Sequence, residues 1–161
     1  MNSAEWIADL PWNEINYYAE KYGLNKNWIA AFIMNESMNN RYAMRYEMAW
    51  KYLLNPKEFA DQNGLSVNTE VIAQSCSWGL MQLMGSVARE LGYTGHLPML
   101  TEINLGLDLG CKKLKAIMQK YTDIHDAAAA YNAGSVRKTP GGFYENQKYV
   151  DRFDSFLRAL P

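Results

Sequence analysis

Leu107, Cys111, Leu114, Ile117, Met118 and Tyr121 recur at helical spacing over several turns, and no other feature narrows the fold of this chain so sharply. A stripe of that period buries itself only against other elements, so the remaining chain has to supply its partners. It does so with more of the same pattern. Asn13 to Tyr22 places Ile15, Tyr18, Ala19 and Tyr22 on one face and stops at Gly23, which suits the left-handed residue that closes a helix. From Lys26 a second helix, crowded with Trp28, Ala31, Phe32 and Met34, runs into Asn35-Glu36-Ser37. Tyr42 to Leu54 reads as an aromatic, amphipathic helix ended by Asn55-Pro56, and Pro56 opens a further helical turn ahead of Glu58 and Phe59. Asp61 to Asn68 reads as a loop and Thr69 to Ser75 as a short helix; Val87 to Leu91 comes next, with Ser86 as its cap and Gly92 at its end. Asp126 to Tyr131 is an Ala-rich helix ended by Gly134, and Ser135 to Gly142 is a loop. A last helix from about Gln147 carries Val150, Phe153, Leu157 and Leu160. No repeat, linker or low-complexity segment interrupts the series. The expectation is one all-α domain over residues 1–161, with room for a short strand pair in its loops.

Charge and cysteine usage exclude several functions. The chain has 16 basic and 17 acidic side chains, a net charge of −1, so there is no surplus to hold nucleic acid and no basic patch for a membrane surface. Met1-Asn-Ser-Ala-Glu-Trp has neither a cationic region nor a long apolar run, so no signal peptide is expected, and no stretch has the length of a membrane span. Cys76 and Cys111 form no Cys-x-x-Cys pair, and only His96 and His125 could join them. Two buried free thiols are expected, with no metal site and no disulfide framework.

The stretch Ser77-Trp-Gly-Leu-Met-Gln-Leu-Met84 is too apolar for a surface loop, yet it carries Gly79 and Gln82 where a plain core helix would prefer neither. Gly79 lets something lie directly against the backbone. Gln82 offers both an amide donor and a carbonyl acceptor, which suits an acetamido or peptide group. Trp78, Met81 and Met84 supply broad, soft contact area. The competing reading is a buried helix with one satisfied glutamine.

Three further places in the chain attract attention. Glu36 comes after the apolar run Trp28 to Met34, and a carboxyl in apolar surroundings is driven toward its neutral, proton-donating form. The alternative is a helix-end glutamate in water. Ala130-Tyr131-Asn132-Ala133-Gly134 presents a Tyr and an Asn at the end of a closely packing helix, or is an ordinary core helix with a C-terminal Gly. Tyr149, in Glu145-Asn-Gln-Lys-Tyr149-Val, is either a fourth site residue or a core aromatic whose hydroxyl reaches water.

Taken in order, Glu36-Ser37, Gly79-Leu80-Met81-Gln82 with Met84, Ala130 to Gly134, and Tyr149 resemble the motifs of the lytic transglycosylases related to goose-type lysozyme. Asn104-Leu105 with Gly106 and Gly110 resembles the family's helix between its second and third motifs. Each motif alone is weak, but four in the right order span most of the chain. The resemblance implies a lysozyme-like helical fold with a sugar-binding cleft. It also implies cleavage of the β-1,4 bond between N-acetylmuramic acid and N-acetylglucosamine in peptidoglycan. Glu36 matches the single catalytic acid/base. Ser37, Ser77, Gly79, Gln82, Met84, Tyr131, Asn132 and Tyr149 match positions that bind substrate or support the centre. The stretch between Glu36 and Gly79 is longer than in the commonest members and resembles a phage-associated branch. Its Glu47 is either a second acidic group facing substrate or a partner for Arg45 or Lys51. After the Tyr-Asn-Ala-Gly motif stand Ser135-Val-Arg137-Lys138, whose charges could meet peptide-stem carboxylates.

The resemblance also implies a mechanism without metal or organic cofactor. Glu36 would protonate the glycosidic oxygen, and the C6 hydroxyl would then close onto C1 to leave a 1,6-anhydro sugar. A hydrolytic muramidase in which Glu47 activates water is the nearest rival, and a wall-binding virion module that has lost its chemistry is the rival from another class. The partner implied is the peptidoglycan strand, met by a monomer at the bacterial wall. An enzyme without a signal would get there through holin-type release or as part of a virion.

Overall fold

The computed structural model describes residues 3–161. In chain order the elements are α1 (Ser3–Asp9), α2 (Trp12–Tyr22), α3 (Lys26–Ser37), β1 (Met44–Tyr46), α4 (Pro56–Asn63), α5 (Val67–Gln74), β2 (Cys76–Trp78), β3 (Leu83–Met84), α6 (Gly85–Glu90), a 3₁₀ turn (Leu97–Thr101), α7 (Ile103–Lys120), α8 (Ile124–Ala133) and α9 (Gln147–Ala159). The chain divides into two compact units, Met1–Asn39 with Cys111–Pro161, and Asn40–Gly110. The fold is mostly helical with one small antiparallel sheet, as a lysozyme-like protein requires.

In the first unit the helices form where stripe and cap agree. Gly23 closes α2 with φ 61°, its N–H returning to Ala19 and Glu20, and Ile15, Tyr18 and Ala19 are buried. Asn25 caps α3 by accepting the Asn27 N–H at 2.8 Å. Every residue from Ile29 to Asn35 is then buried, so α3 is the central rod of this unit. It packs on α9 and on α2, and α8 packs on α9. Asp123 caps α8, whose four consecutive alanines, Ala127 to Ala130, are all buried and allow close helix approach. Phe32 packs on Tyr131 and on Phe153 with ring centres 4.6 Å apart in each pair, which ties α3, α8 and α9 together.

The second unit holds the sheet, in the order β1-β2-β3. Met44, Arg45 and Tyr46 pair with Trp78, Ser77 and Cys76, and Ser77 pairs with Met84. Here the structure departs from the sequence-based expectations. The segment 42–54 contains no helix. Most of its apolar residues are exposed, Met48 to 85 %, so no buried stripe is there to hold a helix, and the ladder to β2 takes the backbone of 44–46 instead. Trp50 donates its indole N–H to Ser86 Oγ at 2.9 Å, and Leu54 is clasped by Gln74, which donates to its carbonyl and accepts from its N–H, each at 2.8 Å. The stretch from Ser77 to Met84 lies in a hairpin of β2 and β3 and not in a buried helix. The expected loop 61–68 shrinks to Gly64–Ser66, because α4 runs on to Asn63 and Ser66 caps α5 through the Thr69 N–H. Ser86 is not a cap; it lies inside α6 and accepts from Trp50.

Cys76 and Cys111 are both buried and form no disulfide with each other. Burial raises the Cys76 thiol, with the Glu47 charge adding to it. Ala73, Leu83, Ala88, Leu97, Leu100 and Leu109 form the apolar core of the second unit.

What lies against Gly79 is the chain itself. The residue has φ 72°, and a Cβ there would overlap the Leu100 carbonyl oxygen in the 3₁₀ turn. Gly79→Ala therefore combines a left-handed conformation, about 1–2 kcal/mol, with overpacking against backbone, about 1–3 kcal/mol. Thermal unfolding monitored by circular dichroism should show a clear drop. An unchanged melt with lost activity would mean that the space at Gly79 serves a ligand and not the fold.

Candidate active site

The side chains singled out by the sequence fall into two groups, one in each unit. In the first unit, α3 delivers Glu36 at its C-terminal end, one turn after Phe32 and so on the same face as the aromatic stack. The chain leaves α3 sharply: Met38 has φ 52° with its N–H on the Met34 carbonyl, and Asn39 has φ 61° with its amide on the Asp9 carbonyl at 3.0 Å. Two successive left-handed residues without glycine are unfavourable, and they end the helix at Glu36-Ser37. Ser37 turns its hydroxyl back to the Ile33 carbonyl at 3.2 Å.

Glu36 is half-buried, and Tyr149 of α9 donates its hydroxyl to Glu36 Oε1 at 2.5 Å. Burial raises the Tyr149 phenol well above its ordinary value, and the Glu36 charge and hydrogen bond raise it further. Tyr149 thus keeps its proton at working pH and remains a donor to the carboxyl throughout. Tyr131 is likewise held neutral, first by burial and then by the Glu36 and Cys111 charges. A polar clamp fixes the two backbones: Arg152 donates to Asn35 Oδ1 at 2.7 Å and to the Asn35 carbonyl, and Asn35 donates to the Tyr149 carbonyl at 3.3 Å.

Lys113 of α7 completes the group. Its Nζ stands 3.6 Å from the Tyr131 ring centre and donates to the Tyr131 carbonyl at 3.1 Å. Burial pulls its pKa down to about 8, against the opposing pull of the Glu36 carboxylate.

In the second unit the hairpin builds the other group. Gln82 sits in a left-handed turn with φ 44°. Its amide donates to the Ala43 and Gly79 carbonyls at 3.0 Å each, and its Oε1 accepts from Ser77 Oγ at 2.8 Å. Both amide protons are thereby used. Ser77 and Met84 are paired across β2 and β3, and Arg45 is paired with Ser77 across β1 and β2, so the three share a face of the sheet. Glu47 accepts from Arg45 Nε at 2.5 Å.

The structure therefore brings Glu36, Tyr131 and Tyr149 together, and separately Ser77, Gly79, Gln82 and Met84. Asn132 is exposed on α8, its Oδ1 accepting from Asn146 at 2.9 Å. Sequence reasoning misses Lys113, Asn35 and Arg152. Lys113 precedes Ile117 by one turn on the flank of the apolar stripe, and Arg152 stands three residues after Tyr149; in each case spacing is the available signal. A cavity of about 490 Å³ elsewhere in the first unit is lined by Asp123, His125, Asp126, Tyr144 and Asp154 among others, and by none of these residues. Its polar groups pair with one another, as in Tyr144 to Asp126 at 2.6 Å and His125 to Asp154 at 2.9 Å.

No helix among the described residues is long and apolar enough to cross a membrane. The family model described as the transglycosylase SLT domain matches residues 13–149, a span that takes in both groups of side chains.

Proposed function

Since the chain belongs to the transglycosylase SLT-domain family, whose members act on peptidoglycan, we propose that Glu36 is its single acid/base and that its product is a 1,6-anhydro muramic acid end. The observation that carries this reading is the Glu36 carboxyl held at 2.5 Å by a tyrosine that does not give up its proton. Tyr149 fixes one carboxyl oxygen, and proton traffic is assigned to the other.

In the first step protonated Glu36 donates to the glycosidic oxygen as its bond to the muramic acid C1 breaks. Positive charge at C1 is met by the substrate's own N-acetyl group. In the second step ionised Glu36 takes the proton of the C6 hydroxyl, whose oxygen bonds to C1. Glu36 ends protonated, as it began, and no water is consumed. Most glycosidases need a second carboxylate. Glu47 is bound to Arg45, which supports a mechanism that dispenses with it. Gln82 spends three hydrogen bonds on its own surroundings, so its role is to shape the turn; Ser37, Ser77, Gly79, Met84, Tyr131 and Asn132 are assigned to sugar binding or its support. The family match runs through both compact units, which supports a single catalytic domain. The segment before Gly79 resembles a phage-associated branch, and this favours action at the wall as a lysin or a virion component.

Digestion of purified peptidoglycan and mass spectrometry of the products test the reading. Muropeptides ending in 1,6-anhydro-muramic acid, lighter by one water than hydrolysed ones, are expected. Mainly reducing-end muramic acid would make the enzyme a muramidase.

A further inference from the structure

Lys113 has no place in the mechanism above, yet an ammonium group in apolar surroundings is costly and requires a reason. Its geometry is specific. The Nζ rests on the Tyr131 ring at 3.6 Å and is held there by the Tyr131 carbonyl at 3.1 Å. Tyr131 in turn packs on Phe32, one turn of α3 below Glu36. We propose that Lys113 is a positioning residue of electrostatic kind, a fixed cation that sets how readily Glu36 gives up its proton to the sugar. The inference rests on Glu36 as the acid.

Two groups act on this cation, the Glu36 carboxylate from α3 and the Tyr131 ring and carbonyl from α8, while Tyr149 of α9 and Cys111 of α7 act within the same group through Tyr131. Tyr131 and Tyr149 stay neutral, so the carboxylate is the partner whose charge changes during the reaction. As Glu36 donates its proton it becomes an anion, and a cation already in place stabilises that anion at no cost of reorganisation. The same cation makes Glu36 ionise earlier as pH rises. Lys113 itself becomes neutral as pH rises through about 8, so the effect operates below that pH.

The test uses kcat and KM profiles against pH for wild type, Lys113→Met and Lys113→Arg on peptidoglycan. Lys113→Met is nearly isosteric and removes a charge from a half-buried position, so the fold should hold. Its basic limb in kcat/KM should move to higher pH by about one unit or more, the usual effect of an adjacent opposite charge. On the acidic plateau kcat should fall several-fold with KM unchanged. Lys113→Arg, which keeps the charge, should retain the wild-type limb. A Lys113→Met limb in the wild-type position would overturn the proposal, because a merely structural lysine would leave it there. Direct titration of Lys113 by NMR supplies the second arm: the midpoint should lie near 8 in wild type and lower in Glu36→Gln, where the carboxylate is gone. An unmoved midpoint would show that the two groups do not sense each other and would equally overturn it. If instead Glu36→Gln retained wild-type activity, the assignment of Glu36 as acid would fall, whatever the Lys113 midpoint did.

Discussion

Glu36→Gln should lower activity on purified peptidoglycan by a factor on the order of 10² or more, and the helical circular dichroism spectrum should stay unchanged. The substitution is chosen because it isolates the transferable proton. A glutamine side-chain carbonyl still accepts the Tyr149 hydroxyl, so the polar contact between α3 and α9 at this point survives. The clamp between Asn35 and Arg152 uses neither carboxyl oxygen and is not touched. What is lost is the donation to the leaving oxygen and the later recovery of a proton from C6. A 10²-fold loss corresponds to about 2.7 kcal/mol of barrier. Activity within a few-fold of wild type would remove Glu36 from the mechanism.

Arg89→Met should destabilise the protein more than any surface substitution, by about 3–5 kcal/mol. Arg89 and Glu70 are both fully buried and form a two-pronged pair, with Nε to Oε1 at 2.9 Å and Nη2 to Oε2 at 3.0 Å. Arg89 also donates to the Tyr93 and Gly95 carbonyls, at 3.0 and 2.7 Å, and lies 4.4 Å from the Phe59 ring centre. Gln74 donates to Glu70 Oε1 and, with Leu54, ties in the segment that precedes α4. Removing the guanidinium leaves a carboxylate without its counter-charge and two carbonyls without donors. For a chain of this length the melting temperature should fall by about 10 °C. Glu70→Met together with Arg89→Met should recover part of the loss, because an apolar replacement of both partners leaves no buried charge. A single variant melting within a degree or two of wild type would contradict this account of the core.

The long helices are legible in the sequence because stripe and punctuation agree. Ile15, Tyr18 and Ala19 end at Gly23, the run Ile29 to Met34 ends at Glu36, and Ala127 to Ala130 ends at Gly134; each run is buried and its helix closes where expected. The segment 42–54 misleads although its signal is present. Tyr42, Met44, Tyr46, Met48, Trp50 and Tyr52 fall at every second position, the period of a strand. The hairpin at 76–84 is hidden for another reason: a short apolar run buried in a sheet has the same composition as a buried helix. In the site, Glu36, Tyr131 and Tyr149 can be found from their neighbours and from resemblance. Lys113 cannot, since a lysine on a helix flank normally reaches water. Nor can Glu70 and Arg89, whose pairing depends on how α5 meets α6 and leaves no mark in a linear sequence of ordinary charged residues.

Whether C6 or water attacks C1 decides between a transglycosylase product and a hydrolysed one. Digestion in water enriched in the heavy oxygen isotope, with a short reaction and immediate mass analysis of the muropeptides, separates the two directly. If Glu36 acts alone and delivers the tethered C6 hydroxyl, which has a large effective-concentration advantage over solvent, the new ends carry no label and are lighter by one water. Reducing ends that carry the heavy oxygen at C1 would contradict the account and would make Glu47→Gln the next variant to assay.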